Sequence, residues 1–363
     1  MNTFGKTIGL TIFGESHGLS IGAVLDGLPS GEAIDWDAVR AEMARRAPGK
    51  NKMSTARSEK DAFEVQSGFF NGHTTGTPLC AIIRNSDQHS RDYDQLRHIM
   101  RPSHADYSGK IRYGGFNDYR GGGHFSGRLT APLVFAGAVA SQILARHGIT
   151  VGSHILRLAG IADKPFDAAG ETAETLQALK KETLPVLDKA QAGPMEEKIL
   201  EAKNDLDSVG GVIECMVTGL PAGIGDPFFD SVESQLSHMM FSVPAVKGIE
   251  FGDGFALADL RGSQANDAFY YDGDAVKTRT NHNGGINGGI TNGMPVVFRL
   301  AVKPTASISQ KQETIDTDTK ENCDLVIKGR HDPCIVQRAI PVVEAAAAWA
   351  ILDVCLSEKG RCW

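Results

Sequence analysis

The sequence predicts an α+β fold in which antiparallel strands and helices belong to one layered domain. Candidate strands come in hairpin-like pairs, such as residues 7–13 and 20–25, and no regular strand–helix–strand alternation follows them. The 363 residues contain no internal repeat and no stretch typical of a linker, so a single domain over residues 1–363 is expected. Hydrophobic residues make up 41% and charged residues 22%, as in a soluble globular protein with a large core.

The N-terminal elements follow from short local signals. Asp35 is a suitable N-cap for a helix that continues to about Arg46, with apolar residues on one face. The polar and basic stretch 50–60 predicts a mobile loop that orders over a ligand. Residues 79–83 form a short apolar run and predict a strand.

The longest predicted helix covers residues 126–147, which are rich in Ala, Leu and Val. Pro132 fits its first turn, and Gly148 ends it. Residues 162–207 are charged and predict two solvated helices outside the core. The other predicted elements are strands at 151–158, 211–218 and 295–302, an amphipathic helix at 230–241 and an Ala-rich helix at 341–356.

Charge, hydropathy and cysteine usage exclude several classes of protein. The net charge of -7 argues against broad nucleic-acid binding, which requires a basic face. Mean hydropathy is -0.18, no apolar run is long enough to span a bilayer, and no signal peptide is visible. A cytoplasmic protein without membrane contact is therefore expected. The six cysteines include no Cys-x2-Cys pair and are expected to be reduced thiols.

Familiar nucleotide and metal motifs are missing from the sequence. Gly5-Lys6-Thr7 resembles the end of a P-loop, but the sequence has no residue at the position of the first glycine of that motif. No GxGxxG follows a strand, and neither HExxH nor Cys-x2-Cys occurs. We therefore expect no bound metal and no standard dinucleotide site.

Three short polar segments, centred on His17, His104 and Asp332, each join ionisable residues to Gly or Pro at an apparent element end. If folding brings them together, their histidines, aspartate and arginines suit proton transfer around an anionic ligand. Each segment also has an ordinary explanation when taken alone. His17 and His104 can be loop histidines, the latter bonding Asp106. Asp332 can simply form the turn before Pro333.

Two further segments have the composition of anion sites. Arg46 and Lys52 belong to a basic run, which either complements a helix dipole or clamps an anion. Residues 303–307 follow a strand and join a lysine to hydroxyls and backbone N–H groups, as in a phosphate cradle. The chain has 41 glycines, and many of them fall in two clusters at 114–127 and 284–293, where they either form simple loops or let the backbone approach a flat ligand closely.

Four ordered segments together resemble the chorismate synthase family. They are GESHGLSIGAVLDGLP at 14–29, RPSHADYSG at 101–109, YRGGGHFSGRLTA at 119–131 and GRHDPCIVQRAIPVVEA at 329–345. The similarity covers nearly the whole chain, residues 7–347. It implies a layered domain with antiparallel sheets at the centre and helices outside, assembling as a homotetramer.

The resemblance implies a carbon–oxygen lyase of the shikimate pathway, which leads to the aromatic amino acids. Members convert 5-enolpyruvylshikimate 3-phosphate to chorismate and phosphate by a 1,4-anti elimination that requires reduced FMN without net redox change. The source of the reduced flavin is left open between NADPH acting on the protein itself and an external flavin reductase. Two alternatives from other classes are a flavin- or anion-binding protein without catalysis and an ordinary flavin oxidoreductase.

The resemblance also implies roles for individual residues. His17 matches a proton donor to the leaving phosphate, His104 a histidine beside the flavin, and Asp332 a carboxylate that assists proton removal. Ser16 and Ser126 match hydroxyls that relay protons. The implied substrate-binding residues are Arg46, Lys52, Arg101, Arg128 and Arg330. The implied FMN-binding residues are His124, Phe125, Ser126, Pro244, Ala245, Gly288, Lys303, Pro304, Thr305, Ala306, Ser307 and Arg330.

The chain departs from the family pattern at several of these positions. His124 and Phe125 stand where Arg and Ser are familiar. Lys52 stands where Arg is usual, which removes a bidentate fork, and Pro244 stands where Asn is common. We expect an active member with altered FMN affinity, in which protonated His124 contacts the FMN phosphate and Phe125 packs on the ring.

Overall fold

The computed structural model describes residues 2–49, 52–53, 61–85, 97–327 and 331–357, and every structural statement below refers to these residues. Its strands are β1 Thr3–Phe4, β2 Gly9–Gly14, β3 Ser20–Asp26, β4 Phe63–Ser67, β5 Phe69–Phe70, β6 His73–Thr74, β7 Leu79–Arg84, β8 Thr150–Leu158, β9 Ile161–Ala162, β10 Gly211–Thr218, β11 Val246–Phe251, β12 Phe269–Asp272, β13 Ala275–Thr278, β14 Ile286–Asn287, β15 Ile290–Thr291, β16 Val296–Val302, β17 Gln312–Asp316 and β18 Glu321–Leu325. Its α-helices are α1 Trp36–Arg46, α2 Asp106–Arg112, α3 Thr130–Arg146, α4 Ala173–Leu179, α5 Ala192–Asn204, α6 Val232–Met240, α7 Gly262–Ala265 and α8 Val336–Ser357.

Two five-stranded antiparallel sheets form the frame of the described structure. Sheet I has the strand order β1-β2-β3-β7-β4, and sheet II has the order β11-β16-β10-β8-β9. The remaining strands form two-stranded hairpins: β5-β6, β12-β13, β14-β15 and β17-β18. The antiparallel pairing and the mixture with helices confirm the predicted α+β class.

The two long apolar helices lie between the sheets. α3 contacts β2, β3 and β7 of sheet I, α8 contacts β8 and β10 of sheet II, and the two helices contact each other. Every residue of α8 from Val336 to Leu356 except Arg338 is buried. The expected order, with sheets at the centre and helices outside, is therefore wrong. A helix that is apolar on all sides must be covered on all sides, and here the two sheets cover this pair.

α3 and α8 approach each other closely at one glycine. A Cβ built on Gly137 of α3 would lie 2.2 Å from Cα and 2.3 Å from Cβ of Ala345 on α8. Two helices are long and apolar enough to cross a membrane by length and composition, but 78% and 100% of their apolar windows are buried inside the fold. Core helices of globular proteins have the same character.

Several local predictions are confirmed by the structure. Asp35 caps α1 by accepting hydrogen bonds from the backbone N–H groups of Asp37 and Ala38. Strand β10 has the predicted bounds, and the predicted strands at 79–83, 151–158 and 295–302 match β7, β8 and β16 within two residues. Gly148 follows α3 with a φ of +74°, as a helix stop requires.

Three helix predictions are wrong in extent or placement. α8 begins at Val336, and Pro341 lies inside it, because its buried packing outweighs the hydrogen bond that proline removes. α3 begins at Thr130, since residues 126–129 form a capped 3₁₀ turn. α4 and α5 do not lie outside the core: α4 buries Leu176 and α5 buries Ile199.

A row of buried and half-buried ionisable residues crosses three strands of sheet II. His154 on β8, Glu214 on β10 and Arg299 on β16 occupy paired positions. The imidazole Nε2 lies 3.0 Å from Glu214 Oε2, and Nδ1 lies 3.0 Å from Oδ2 of Asp163. Arg299 Nε donates to Glu214 Oε1 at 2.8 Å. These paired side chains favour one register of β8, β10 and β16, and they leave titratable groups inside the fold.

Candidate active site

One cavity of about 860 Å³ collects most of the residues that the sequence singled out. Its walls come from the end of α1, the turn before α3, the loop after α6, the loop after β16 and the start of α8. The predicted site residues that line it are Arg46, His104, His124, Phe125, Ser126, Arg128, Pro244, Ala245, Lys303, Pro304, Thr305, Ala306, Ser307 and Asp332. Its volume lies in the range of small-molecule and cofactor sites.

A turn of three glycines separates the two predicted catalytic histidines. Gly121, Gly122 and Gly123 have φ values of +59°, +83° and +54°. A Cβ on Gly121 would lie 2.2 Å from Cε1 of His17, and a Cβ on Gly122 would lie 3.3 Å from Cε1 of His104. Glycine is required here both by the left-handed backbone and by the histidines packed against it.

His17 and Ser16 lie behind this turn and do not line the cavity. Both are buried, and Ser16 Oγ lies 3.0 Å from His17 Nδ1. The same hydroxyl lies 3.2 Å from the carbonyl oxygen of Arg120 and 3.1 Å from that of Gly121. The backbone N–H of Ser16 also donates to Gly123 O at 3.1 Å, which ties the first polar segment to the glycine turn.

His104 lines the cavity and is held by a carboxylate. Its Nδ1 lies 3.0 Å from Oδ1 of Asp106. The guanidinium of Arg101 donates to both oxygens of that carboxylate at 2.7 Å, through Nε and Nη2. Burial alone would raise the pKa of Asp106, but the hydrogen bonds from Arg101 and His104 outweigh it and hold the pKa well below its usual range. Asp106 is therefore a permanent anion beside His104.

Arg101 lies behind His104 and does not line the cavity. Its Nη2 lies 3.1 Å from His104 Nδ1, and its Nη1 donates to Ser307 Oγ at 3.5 Å. The sequence placed Arg101 among the substrate-binding residues. In the structure its guanidinium is engaged with Asp106 and with two residues of the cavity wall.

Arg46 and Arg128 share one buried aspartate. Arg46 Nε donates to Oδ2 of Asp61 at 2.8 Å, and Arg128 Nη1 donates to Oδ1 of the same carboxylate. Arg46 Nη1 also donates to Thr130 Oγ1 at 3.3 Å, and Arg128 Nε donates to Asn85 Oδ1 at 3.1 Å. Sequence reasoning missed Asp61, because it lies in no recognisable motif and 67 residues from Arg128.

Asp332 is paired with an arginine that sequence reasoning also missed. Arg338 in α8 donates to Asp332 Oδ2 through Nη1 and to the carbonyl oxygen of Arg46 through Nε at 3.2 Å. Next to it, burial and the positive charge of Arg101 lower the pKa of His331, against the raising effect of Asp332. His331 is therefore neutral near pH 7, and within the described residues its buried Nε2 has no hydrogen-bond partner.

Besides Ser16, His17 and Arg101, two described site residues, Lys52 and Gly288, do not line the cavity. Lys52 is 69% exposed and pairs with Glu196 Oε1 at 2.8 Å on α5. Gly288 lies in the exposed turn between β14 and β15 and does not contact the cavity. Arg330 lies outside the described residues, as does most of the predicted loop 50–60.

The loop after β16 has the character of a phosphate cradle. Lys303 Nζ donates to Ser103 O at 2.7 Å, and the backbone N–H of Lys303 donates to Ala245 O at 3.0 Å. Ala245 has a φ of +74°, a left-handed conformation that is uncommon outside glycine and is often found at binding sites. Thr305 Oγ1 is buried in the cavity wall without a hydrogen-bond partner among the described residues. An FMN phosphate would supply acceptors for this hydroxyl and this lysine, so the residues present fit the group.

A family model described as chorismate synthase matches residues 8–356. The chain belongs to the chorismate synthase family. A chorismate synthase of Dehalococcoides mccartyi is 45% identical over 355 residues, which cover 98% of this chain and 96% of that protein. One from Chitinophaga pinensis is 46% identical over 360 residues, which cover 99% and 98%. A solved chain named "Crystal Structure of Chorismate Synthase" superposes with a TM-score of 0.77 at 28% identity, covering 99% of this chain and 95% of that one.

Two of the residues that depart from the familiar chorismate synthase motif have local partners in this chain. The imidazole Nδ1–H of His124 donates to the carbonyl oxygen of Gly14 at 2.8 Å. Phe125 packs against α2: its ring lies 6.2 Å from that of Tyr113, and a Cβ on Gly109 would lie 2.7 Å from it. The two side chains therefore join the middle motif to the first motif and to α2, while both still line the cavity.

Proposed function

We propose that the chain converts 5-enolpyruvylshikimate 3-phosphate to chorismate and phosphate by 1,4-anti elimination, with reduced FMN as the required cofactor. The observation that carries this proposal is the single cavity that joins Arg46, His104, Arg128 and Asp332 from four distant segments. The family membership supports it, and so does the cradle at 303–307. A substrate with one phosphate and two carboxylates requires such a set of cations.

The chain's own residues divide the work by position. Arg46 and Arg128 bind anionic groups of the substrate from the α1 and α3 side of the cavity. The family resemblance assigns proton donation to the leaving phosphate to His17, which lies behind the glycine turn rather than in the cavity wall, with Ser16 as its hydroxyl partner at 3.0 Å. Asp332, oriented by Arg338, assists removal of the proton from C6 of the substrate.

Lys303, Thr305 and Ala245 hold FMN in this proposal. The lysine and the Thr305 hydroxyl, which has no hydrogen-bond partner among the described residues, would bind its phosphate, and the left-handed backbone at Ala245 would help to hold the flavin. When bound, reduced FMN supplies electron density that eases cleavage of the carbon–oxygen bond. His104, which lines the cavity and is fixed by the Asp106 carboxylate, would balance the charge of the bound flavin.

We also propose assembly as a homotetramer. The segment from Gly254 to Lys277 is mostly exposed in the isolated chain, and Phe255, Phe269 and Tyr271 are 83%, 62% and 79% exposed. Large exposed aromatic side chains on ordered backbone are typical of protein–protein contacts. The cytoplasmic location and the choice between NADPH and an external flavin reductase stay predictions.

The deciding experiment measures chorismate formation anaerobically from purified protein, 5-enolpyruvylshikimate 3-phosphate and chemically reduced FMN. Product that forms only with reduced FMN supports the lyase, and a repeat with oxidised FMN plus NADPH shows whether the protein reduces its own flavin. FMN binding without product would instead favour a binding protein. NADPH oxidation without chorismate would favour an oxidoreductase.

Two variants test the proton-transfer roles in the same assay. His17→Ala and Asp332→Ala should each lower turnover by roughly two orders of magnitude or more, as expected for loss of a general acid or base. FMN binding, followed by flavin fluorescence, should be largely unchanged. Near-normal turnover in both variants would contradict the assigned roles.

A further inference from the structure

Asp61 stands out among the buried acidic residues because of its backbone and its place. Its side chain has 0% exposure, and its φ is +49°. Left-handed backbone at a residue other than glycine costs free energy and persists where the surrounding structure fixes it, often at functional sites. Asp61 lies two residues before β4, one of the two edge strands of sheet I.

The carboxylate of Asp61 orients two guanidinium groups at once. Oδ2 accepts from Nε of Arg46 at 2.8 Å and also from its Nη2, while Oδ1 accepts from Nη1 of Arg128. Because each oxygen serves a different arginine, the width of one carboxyl group sets the spacing of the two cations. One carboxylate carries one negative charge and does not neutralise both guanidinium groups by itself.

Asp61 approaches the arginines from behind the cavity wall. Arg46 and Arg128 line the cavity and Asp61 does not. Thr130 and Asn85 accept further hydrogen bonds from the same two guanidinium groups, so their planes are fixed as well as their spacing. A pre-organised pair of guanidinium forks suits one tetrahedral or planar anion.

We propose that Asp61 is the positioning residue of an anion subsite, in which Arg46 and Arg128 together bind one anionic group of the substrate. This inference rests on the proposed function, because it takes the occupant to be a phosphate or carboxylate of that substrate. Asp61 itself touches no substrate. It acts through the spacing and orientation of the two arginines.

Charge and positioning predict opposite signs for one substitution. Asp61→Asn removes a negative charge next to two cations, so electrostatics alone would tighten the binding of an anion. If Asp61 acts by positioning, the same change weakens binding, because the neutral amide no longer holds two mutually repelling guanidinium groups at one spacing. The sign of the change therefore separates the two explanations.

The experiment measures inorganic phosphate binding by calorimetry and, separately, KM and kcat for 5-enolpyruvylshikimate 3-phosphate. In Asp61→Asn we expect phosphate affinity to fall about tenfold or more, equivalent to about 1.4 kcal/mol. KM should rise by a similar factor with a smaller change in kcat, the pattern of lost ground-state binding. Phosphate affinity equal to or higher than that of the wild-type protein would overturn the proposal.

Glu42→Gln is the matched control. Glu42 also bridges two cations, Arg45 and Lys180, at 2.5 Å and 3.0 Å, but it does not line the cavity. Its substitution changes the net charge by the same amount, and Glu42 lies on α1, the helix that carries Arg46. Phosphate affinity and KM should stay at wild-type values in this variant, and a loss equal to that of Asp61→Asn would assign the effect to general destabilisation.

Asp61→Glu decides the question if Asp61→Asn does not fold. It keeps the charge and lengthens the side chain by one methylene at a site with 0% exposure, so positioning predicts weakened phosphate binding. Wild-type affinity in Asp61→Glu would overturn the proposal. Failure of the proposed function is distinguishable, because the wild-type protein would then make no chorismate while phosphate binding still depended on Asp61.

Discussion

The contact between α3 and α8 can be tested by adding one methyl group. In Gly137→Ala the new Cβ would lie 2.2 Å from Cα, 2.3 Å from Cβ and 2.4 Å from the carbonyl oxygen of Ala345. Real Cβ atoms essentially never approach closer than 3.0 Å. Since the obstructing atoms belong mainly to helix backbone, no side-chain rotation relieves the clash, and the helices must separate by roughly 1 Å.

The expected cost follows from two opposing terms. Overpacking a tight core costs about 1–3 kcal/mol, and contact with backbone puts this site at the upper end of that range. Alanine in a helix is favoured over glycine by about 1 kcal/mol. The free energy of unfolding of Gly137→Ala should therefore fall by about 2 kcal/mol.

Urea unfolding followed by far-UV circular dichroism measures this change, and a second glycine provides the control. Gly193, also in a helix, has no atom within 4 Å of a built Cβ, so Gly193→Ala should leave stability unchanged or raise it by about 0.5 kcal/mol. A Gly137→Ala midpoint equal to that of the wild-type protein would refute the backbone contact. Because α3 and α8 carry cavity residues at their starts, the variant should also bind phosphate more weakly.

Two further predictions concern histidines. Gly121→Ala places a Cβ 2.3 Å from Nδ1 of His17, so chorismate formation should fall at least tenfold, equivalent to about 1.4 kcal/mol. Gly115 is the control, because it also has a positive φ (+82°) but no atom within 4 Å of a built Cβ, and Gly115→Ala should leave chorismate formation unchanged. Equal losses of activity in the two variants would show that backbone strain alone is responsible. Burial alone would lower the pKa of His154, but hydrogen bonds to its two buried carboxylates raise it above the ordinary 6.5. The charged imidazole therefore stabilises the fold fully below pH 6.5, and this contribution is lost as pH rises through the raised pKa. The free energy of unfolding, measured by urea titration, should decline as pH rises above 6.5 in the wild-type protein and decline less steeply in His154→Gln. Equal slopes of unfolding free energy against pH in the two proteins would argue against this role.

Local signals in the sequence predicted individual elements well. The capping aspartate Asp35 and the alternating residues of β10 carry their information within a few positions, and both elements have the expected bounds within one residue. The layer order depends instead on which surfaces cover α3 and α8. A helix that is apolar on all sides is predicted to be buried, but its sequence does not show which elements pack against it. The position of α3 and α8 between the two sheets could therefore not be predicted from the hydrophobic pattern.

The candidate site shows the same division. Motif residues such as His104 and Asp332 were found from their segments, and the possible bond between His104 and Asp106 is confirmed at 3.0 Å. Asp61 and Arg338 were missed. The partners of Asp61 lie 15 and 67 residues away, and only the tertiary fold sets those distances. Single-sequence reasoning has no signal for a carboxylate that serves arginines from behind the cavity wall.

The pairing of cations with carboxylates changes how arginine variants should be interpreted. Arg101 is bound to Asp106, Arg338 to Asp332, and Arg46 to Asp61, all at buried or half-buried positions. Truncating one partner of a buried ion pair leaves a charge without compensation and is strongly destabilising. Lost activity in an arginine-to-alanine variant would therefore report damage to the pair as much as lost substrate contact.

The carboxylate side of each pair gives the cleaner test. Removing the negative charge at Asp61 makes the neighbourhood more positive, so electrostatics alone favours the anion while disrupted geometry opposes it. An arginine substitution removes charge and geometry together and cannot separate them. For a cavity whose cations are held from behind by acids, the acidic residues are thus the informative positions at which to ask whether the site binds anions by charge or by arrangement.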